Sequence, residues 1–136
     1  MALTRPKLTE SQIRLGAKAG IVHVVAALIL HFVVPESLED RLGLGSDPWF
    51  RRETGTVNAG FAYGLIRLLQ GHRDVTFLRV AAVSALLMAT VRTAATFRGQ
   101  RRGPLSAMVI ASDVLLGVGG IHLANQFNRE TTNTRS

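Results

Sequence analysis

The stretch IVHVVAALILHFVV, residues 21–34, decides the fold. It has no charged residue, and its only polar side chains are those of His23 and His31. A helix needs about 20 mostly apolar residues to cross the hydrocarbon core of a bilayer. Extended to that length, the stretch predicts a membrane-spanning helix over residues 11–34.

The ends of this first span carry recognisable helix signals. Thr9 and Gln12 have the spacing of a capping box, in which each side chain bonds to the backbone of the other residue. Pro35 ends the helix. No small-residue cleavage site follows the apolar run, so we expect a retained span instead of a cleaved signal peptide.

Three further apolar segments follow along the chain, each with a start signal. Pro48 and Pro104 each stand at a predicted first helical position, where the missing N–H of proline costs no hydrogen bond within the helix. Asp74 can cap the third helix. The segments VAAVSALLMATV and LSAMVIASDVLLGVGGIHLA form the cores of the last two. Spans are therefore predicted over residues 48–70, 75–98 and 104–128, followed by a frayed polar tail.

The longest connection, residues 35–47, is too polar to span a membrane. Ser37 and Asp40 could cap a short surface helix that stops at Gly43. The predicted fold class is thus all-α: an integral membrane four-helix bundle with short loops, one short surface helix between spans one and two, and a single domain over residues 1–136. A soluble four-helix bundle would need polar outer faces, and the cores of spans one, three and four have none.

Composition excludes several classes of function. The chain has no cysteine, so disulfides, thiolate catalysis and Cys-ligated metals are excluded. The net charge is +7, but aromatic residues are only 6% and do not interleave with a basic stripe, so we expect no nucleic-acid partner. Basic residues beside membrane spans instead predict contact with membrane lipids. No metal constellation and no cofactor motif emerge.

Two ionisable residues lie inside predicted spans, where an unpaired charge is costly. Asp113 lies in the fourth span and Arg92 in the third, at depths that differ by about 4 Å. We expect the two side chains to contact each other across an antiparallel hairpin. The pair could serve only to fasten that hairpin, because breaking a buried ion pair is expensive, or it could line a binding site.

Other polar side chains lie towards the same side of the membrane. His31 is near the end of span one, Asn58 near the middle of span two, and Glu53 near the interface. Each also has a simpler interpretation. His31 is then an interfacial histidine, Glu53 is a solvated interfacial carboxylate, and Asn58 lies on another face of its helix. Together they predict a ligand-binding pocket whose members are His31, Glu53, Asn58, Arg92 and Asp113.

The remaining polar residues of the spans have structural interpretations. A hydrogen bond within or between helices is the simplest role for His23. His122 lies about 180° around the helix from Asp113, so one of the two faces away from a shared site. Lys18, Arg67 and Arg79 are near enough to helix ends to reach the headgroups.

Topology follows from four spans. The N-terminal tail, the second connection and the C-terminal tail share one side. Basic residues are nearly balanced between the two sides of the membrane, so their distribution barely discriminates between the two orientations. We expect both termini to lie in the cytoplasm, in a multi-pass protein of a bacterial cell membrane.

The layout resembles DoxX-like small membrane proteins and related four-helix families. The features that match are Pro35, the connection through Leu42-Gly43, the segments Thr54-Gly55 and Asn58-Ala59-Gly60, and Asp113 within the fourth span. The resemblance covers most of the chain and implies the architecture. It transfers no catalytic residue.

Three functions fit these observations. The first is a membrane protein with an intramembrane polar pocket for a small or lipid-like molecule. The second is an accessory or scaffold subunit that binds other membrane subunits or a second copy of itself. The third is an enzyme acting on a lipophilic substrate, with Asp113 or His31 as acid–base group.

Overall fold

The computed structural model describes residues 6–33, 48–99 and 103–133, which are helical except at turns and at the N-terminal segment. The predicted all-α class is confirmed. The short surface helix predicted within residues 35–47 lies outside the described residues. The helices are α1 (Glu10–Val33), α2 (Pro48–Leu69), α3 (Val75–Phe97) and α4 (Pro104–Asn133).

Local capping explains where two of the helices begin. The backbone N–H of Gln12 donates to Thr9 Oγ1 at 3.3 Å, and the N–H of Thr9 donates to Gln12 Oε1 at 2.8 Å. The predicted capping box is therefore confirmed. Asp74 Oδ1 accepts from the N–H of Phe77 at 2.9 Å and caps α3. Gly71, with φ of 92°, makes the left-handed turn between α2 and α3.

The end of α4 differs from the prediction. The helix continues to Asn133, so the expectation that the polar tail frays beyond residue 128 is wrong over this stretch. Arg73 Nη1 donates to Glu130 Oε2 at 2.6 Å, which ties the last turns of α4 to the turn between α2 and α3. This contact joins residues 57 positions apart, so local sequence could not reveal it.

The helices form two antiparallel hairpins. In the first, α1 packs along α2, with His31 and Phe32 beside Gly55 at one end. Near the other end of this hairpin, the Arg14 guanidinium donates to the carbonyl of Leu69 at 3.4 Å. In the second hairpin, α3 packs along α4, where Gly117 lets the helices approach closely.

The two hairpins join in a core near the chain termini. A side chain on Gly64 of α2 would overlap the ring of Phe77 in α3, so glycine allows the hairpins to approach there. The core contains residues of all four helices: Ile13, Ala17, Leu68, Leu78, Leu123, Ala124 and Phe127. Arg73, Glu10 and Glu130 lie at this same end. The N-terminal segment, the second connection and the end of α4 thus share one end of the bundle, as predicted.

Large apolar side chains cover the outside of the bundle. Leu15, Val22, Leu87, Val91 and Leu115 are each more than 60% exposed. Among the described residues, three helices are long and apolar enough to cross a membrane, and only 22% of each apolar stretch is buried in the protein. These helices are α1, α3 and the part of α4 from Ser106. Outward-facing apolar surface on this scale indicates a membrane protein.

Candidate functional site

Asp113 is one of two buried polar side chains among the described residues, and it is only 3% exposed. Its Oδ2 atom accepts a hydrogen bond from Arg92 Nη1 of α3. The predicted contact between these residues is therefore confirmed. The pair leaves neither charge uncompensated inside the bundle.

A third residue completes the arrangement from another helix. Nε2 of His23, in α1, lies 3.9 Å from Asp113 Oδ1. That separation is longer than a hydrogen bond, but close enough for attraction when the imidazole is protonated. We name His23, Arg92 and Asp113 the polar triad. The sequence predicted an ordinary hydrogen bond for His23 and left it out of the site.

A glycine allows two helices of the polar triad to come close together. One turn beyond Asp113, Gly117 faces Leu86 and the carbonyl of Ala82 in α3, and a Cβ atom there would meet both. In α1, an added Cβ at Gly20 would lie 3.0 Å from Leu65 of α2 and 3.7 Å, an ordinary contact distance, from Leu116 of α4. Close approach between α3 and α4 lets the short Asp113 side chain reach Arg92.

The polar triad lies near the middle of α1 and at the edge of the buried core. His23 is about 2 Å along the axis from the midpoint of Glu10–Val33. Among the described residues, the buried positions of α1 end at Val24 and those of α3 at Ala89. Among the residues of α4 whose burial is described, Asp113 is the first that is buried. Beyond this level, towards the first and third connections, the described parts of these three helices are more open.

Two members of the polar triad remain partly accessible. The side chain of Arg92 is 35% exposed and that of His23 is 30% exposed, against 4% for Asp113. Among the described residues, the Arg92 guanidinium makes one hydrogen bond, and its acceptor is Asp113. Arginine carries five N–H donors, so donors remain for an additional acceptor.

The other predicted pocket residues lie on α1 and α2. Asn58 Nδ2 donates to the carbonyl of Thr54 in its own helix at 3.3 Å. Glu53 is exposed and lines a groove between α1 and α2. His31 is half-buried, with its Cβ against Gly55. The proposed part of these three residues in ligand binding stays a prediction.

The second buried polar side chain holds the N-terminal segment. The N–H of Leu8 donates to Gln126 Oε1 at 2.9 Å, and Gln126 Nε2 donates to the carbonyl of Leu8 at 3.1 Å. His122 Nε2 lies 3.2 Å from the carbonyl of Pro6. The sequence assigned no role to Gln126. Its spacing of one turn from His122 is the only local signal that could have drawn attention to it.

Among the described residues, no three His, Asp or Glu side chains come together in a way that could hold a metal ion. Comparison with protein-family models, with curated proteins and with solved structures finds no match to this chain.

Proposed function

We propose that this chain is a four-span integral membrane protein that binds a small or lipid-like molecule at the polar triad. The observation that carries the proposal is the unequal exposure of the triad. Asp113 is buried, while Arg92 and His23, on either side of it, each keep about a third of the side chain accessible. Ionisable groups at membrane depth are costly, so their presence there indicates a functional site by default.

The proposal includes a crossing by α2, which is less apolar than its neighbours. Its longest uncharged stretch runs from residue 54 to residue 66, or about 20 Å of helix. Arg67, at one end, is exposed and long enough to reach the headgroups. Because α2 packs against α1 from Gly55 to Leu69, a bilayer crossed by α1 would also enclose α2.

The expected ligand carries oxygen acceptors on an otherwise apolar body. The guanidinium of Arg92 suits a carboxylate, phosphate or carbonyl oxygen, since it is planar and always charged. The imidazole of His23 can donate to or accept from a second polar atom. The apolar surface around the helices favours a molecule that enters from the membrane. Scaffold and enzyme functions are the alternatives, and the scaffold function predicts a different outcome in the test.

Native mass spectrometry of the protein released from membranes in mild detergent tests this proposal. We expect the wild-type protein to retain a bound molecule of defined mass that is not a bulk lipid. The Arg92→Gln variant should lose this molecule. Arg79→Gln is the matched control, because Arg79 is an exposed arginine nearer the opposite end of the same helix. Equal retention by all three proteins would contradict the site. A change in bound protein subunits without any small ligand would favour the scaffold function.

A further inference from the structure

A groove of about 360 Å³ lies between the end of α1 and the beginning of α2. Among the described residues, it is lined by Phe32 of α1 and by Arg52, Glu53 and Thr56 of α2. Phe32 and His23 are nine residues apart, which places them about 180° apart around α1 and about 13 Å apart along it. The groove is therefore separate from the polar triad and does not rest on the function proposed for it.

The groove owes its shape to a glycine. A Cβ atom at Gly55 would lie 2.5 Å from the ring of Phe32 and 3.1 Å from Cβ of His31. Without that side chain, the Phe32 ring packs onto the backbone of α2. The ring then forms one wall of the groove, and the first turns of α2 form the other.

The α2 wall carries opposite charges side by side. Arg52 and Thr56 are four residues apart and so share a face, with Glu53 next to them. Arg52 and Glu53 are both exposed, and neither has an ion-pair partner among the described residues. The inside of the groove is mostly apolar, and the residues that line it include a cation, an anion and an aromatic ring near one end of two neighbouring helices.

We propose that this groove binds the headgroup of a zwitterionic phospholipid with a primary amine, of the phosphatidylethanolamine type. Arg52 pairs with the phosphate, which accepts hydrogen bonds from the guanidinium. Glu53 accepts hydrogen bonds from the ammonium group, and the Phe32 ring supplies an aromatic face for the same cation. An anionic headgroup without an amine would leave Glu53 unpaired, and a choline headgroup has no N–H to donate.

Competition in lipid nanodiscs tests this assignment. The wild-type protein is placed in nanodiscs that contain equal amounts of phosphatidylethanolamine, phosphatidylcholine and phosphatidylglycerol with identical acyl chains. After the protein is released from the nanodiscs, the lipids that it retains are counted by native mass spectrometry. We expect phosphatidylethanolamine to be retained about two- to fivefold above the other two, the range of an exposed ion pair. Equal retention of the three lipids would overturn the proposal.

Single variants assign the two charges. Glu53→Gln should remove the preference for phosphatidylethanolamine, and Arg52→Gln should weaken retention of all three lipids. Arg67→Gln is the matched control, since it removes an exposed arginine at the other end of the same helix. Thermal unfolding of each variant checks that it is folded. A preference that survives Glu53→Gln in a folded protein contradicts the assignment.

Discussion

Arg92 of α3 donates a hydrogen bond to the buried carboxylate of Asp113 in α4. The contact bridges 21 positions of sequence and lies between two helices that are both apolar enough to span a membrane. Removing either partner leaves the other charge without its counterpart inside the bundle.

Asp113→Asn and Arg92→Gln should each lower the free energy of unfolding by an amount on the order of 2 kcal/mol. This is below the usual cost of breaking a fully buried pair, because Arg92 is 35% exposed. The double variant should lose less than the sum of the two single losses. Reversible unfolding of the four proteins in detergent measures the coupling, and additive losses would contradict the contact.

Gln126→Leu should release the N-terminal segment. The substitution removes both hydrogen bonds to Leu8 and leaves a part-buried N–H and carbonyl unpaired. A loss of about 1–3 kcal/mol is expected for such groups. Hydrogen exchange at the Leu8 amide should accelerate. Asn125→Leu is the control, because Asn125 is the exposed neighbour; equal exchange in both variants would show that Gln126 does not hold the segment.

Gly64→Ala should disturb the packing of α2 against α3. Its new methyl group would overlap the ring of Phe77, and overpacking of this kind costs about 1–3 kcal/mol. Gly60→Ala on the same helix should be neutral or slightly stabilising, since nothing lies within 4 Å of its added Cβ. Thermal stability of the two variants tests this difference. Similar midpoints for both would mean that Gly64 is not a close contact.

Four crossings predict a definite pattern of chemical labelling. Single cysteines at Ser11, His72 and Thr132 should react with an impermeant reagent from one side of the membrane, because the structure places these regions at one end of the bundle. Cysteines at Ser46 and Gln100 should react from the other side. Labelling of Ser46 and Gln100 from opposite sides would show that α2 and α3 do not both cross.

Local interactions made much of the helical fold predictable. The side chains of Thr9, Gln12 and Asp74 act within a few residues of their positions, so spacing alone revealed these caps. Arg92 and Asp113 could also be paired from sequence, because adjacent helices joined by a short connection lie side by side, at depths set by the helical rise.

The rest of the site depended on the order of helices around the bundle. His23 reaches Asp113 because α1 lies beside α4, and no local pattern specifies that neighbour. The prediction groups Asn58 and Glu53 with Asp113 by depth; in the structure Asn58 bonds within its own helix and Glu53 lines the groove, and their part in a shared pocket stays a prediction. Similar depth does not imply a shared face, because each helix turns about 100° per residue.

Photocrosslinking in native membranes tests binding at the polar triad most directly. A photoreactive residue in place of Ala27, one turn from His23 on the same side of α1, should capture a defined small or lipid-like molecule. The adduct should disappear in Arg92→Gln. The same residue in place of Val22, which is 69% exposed, should capture only bulk lipid. Identical bulk-lipid adducts at both positions, unchanged by Arg92→Gln, would contradict ligand binding at the triad.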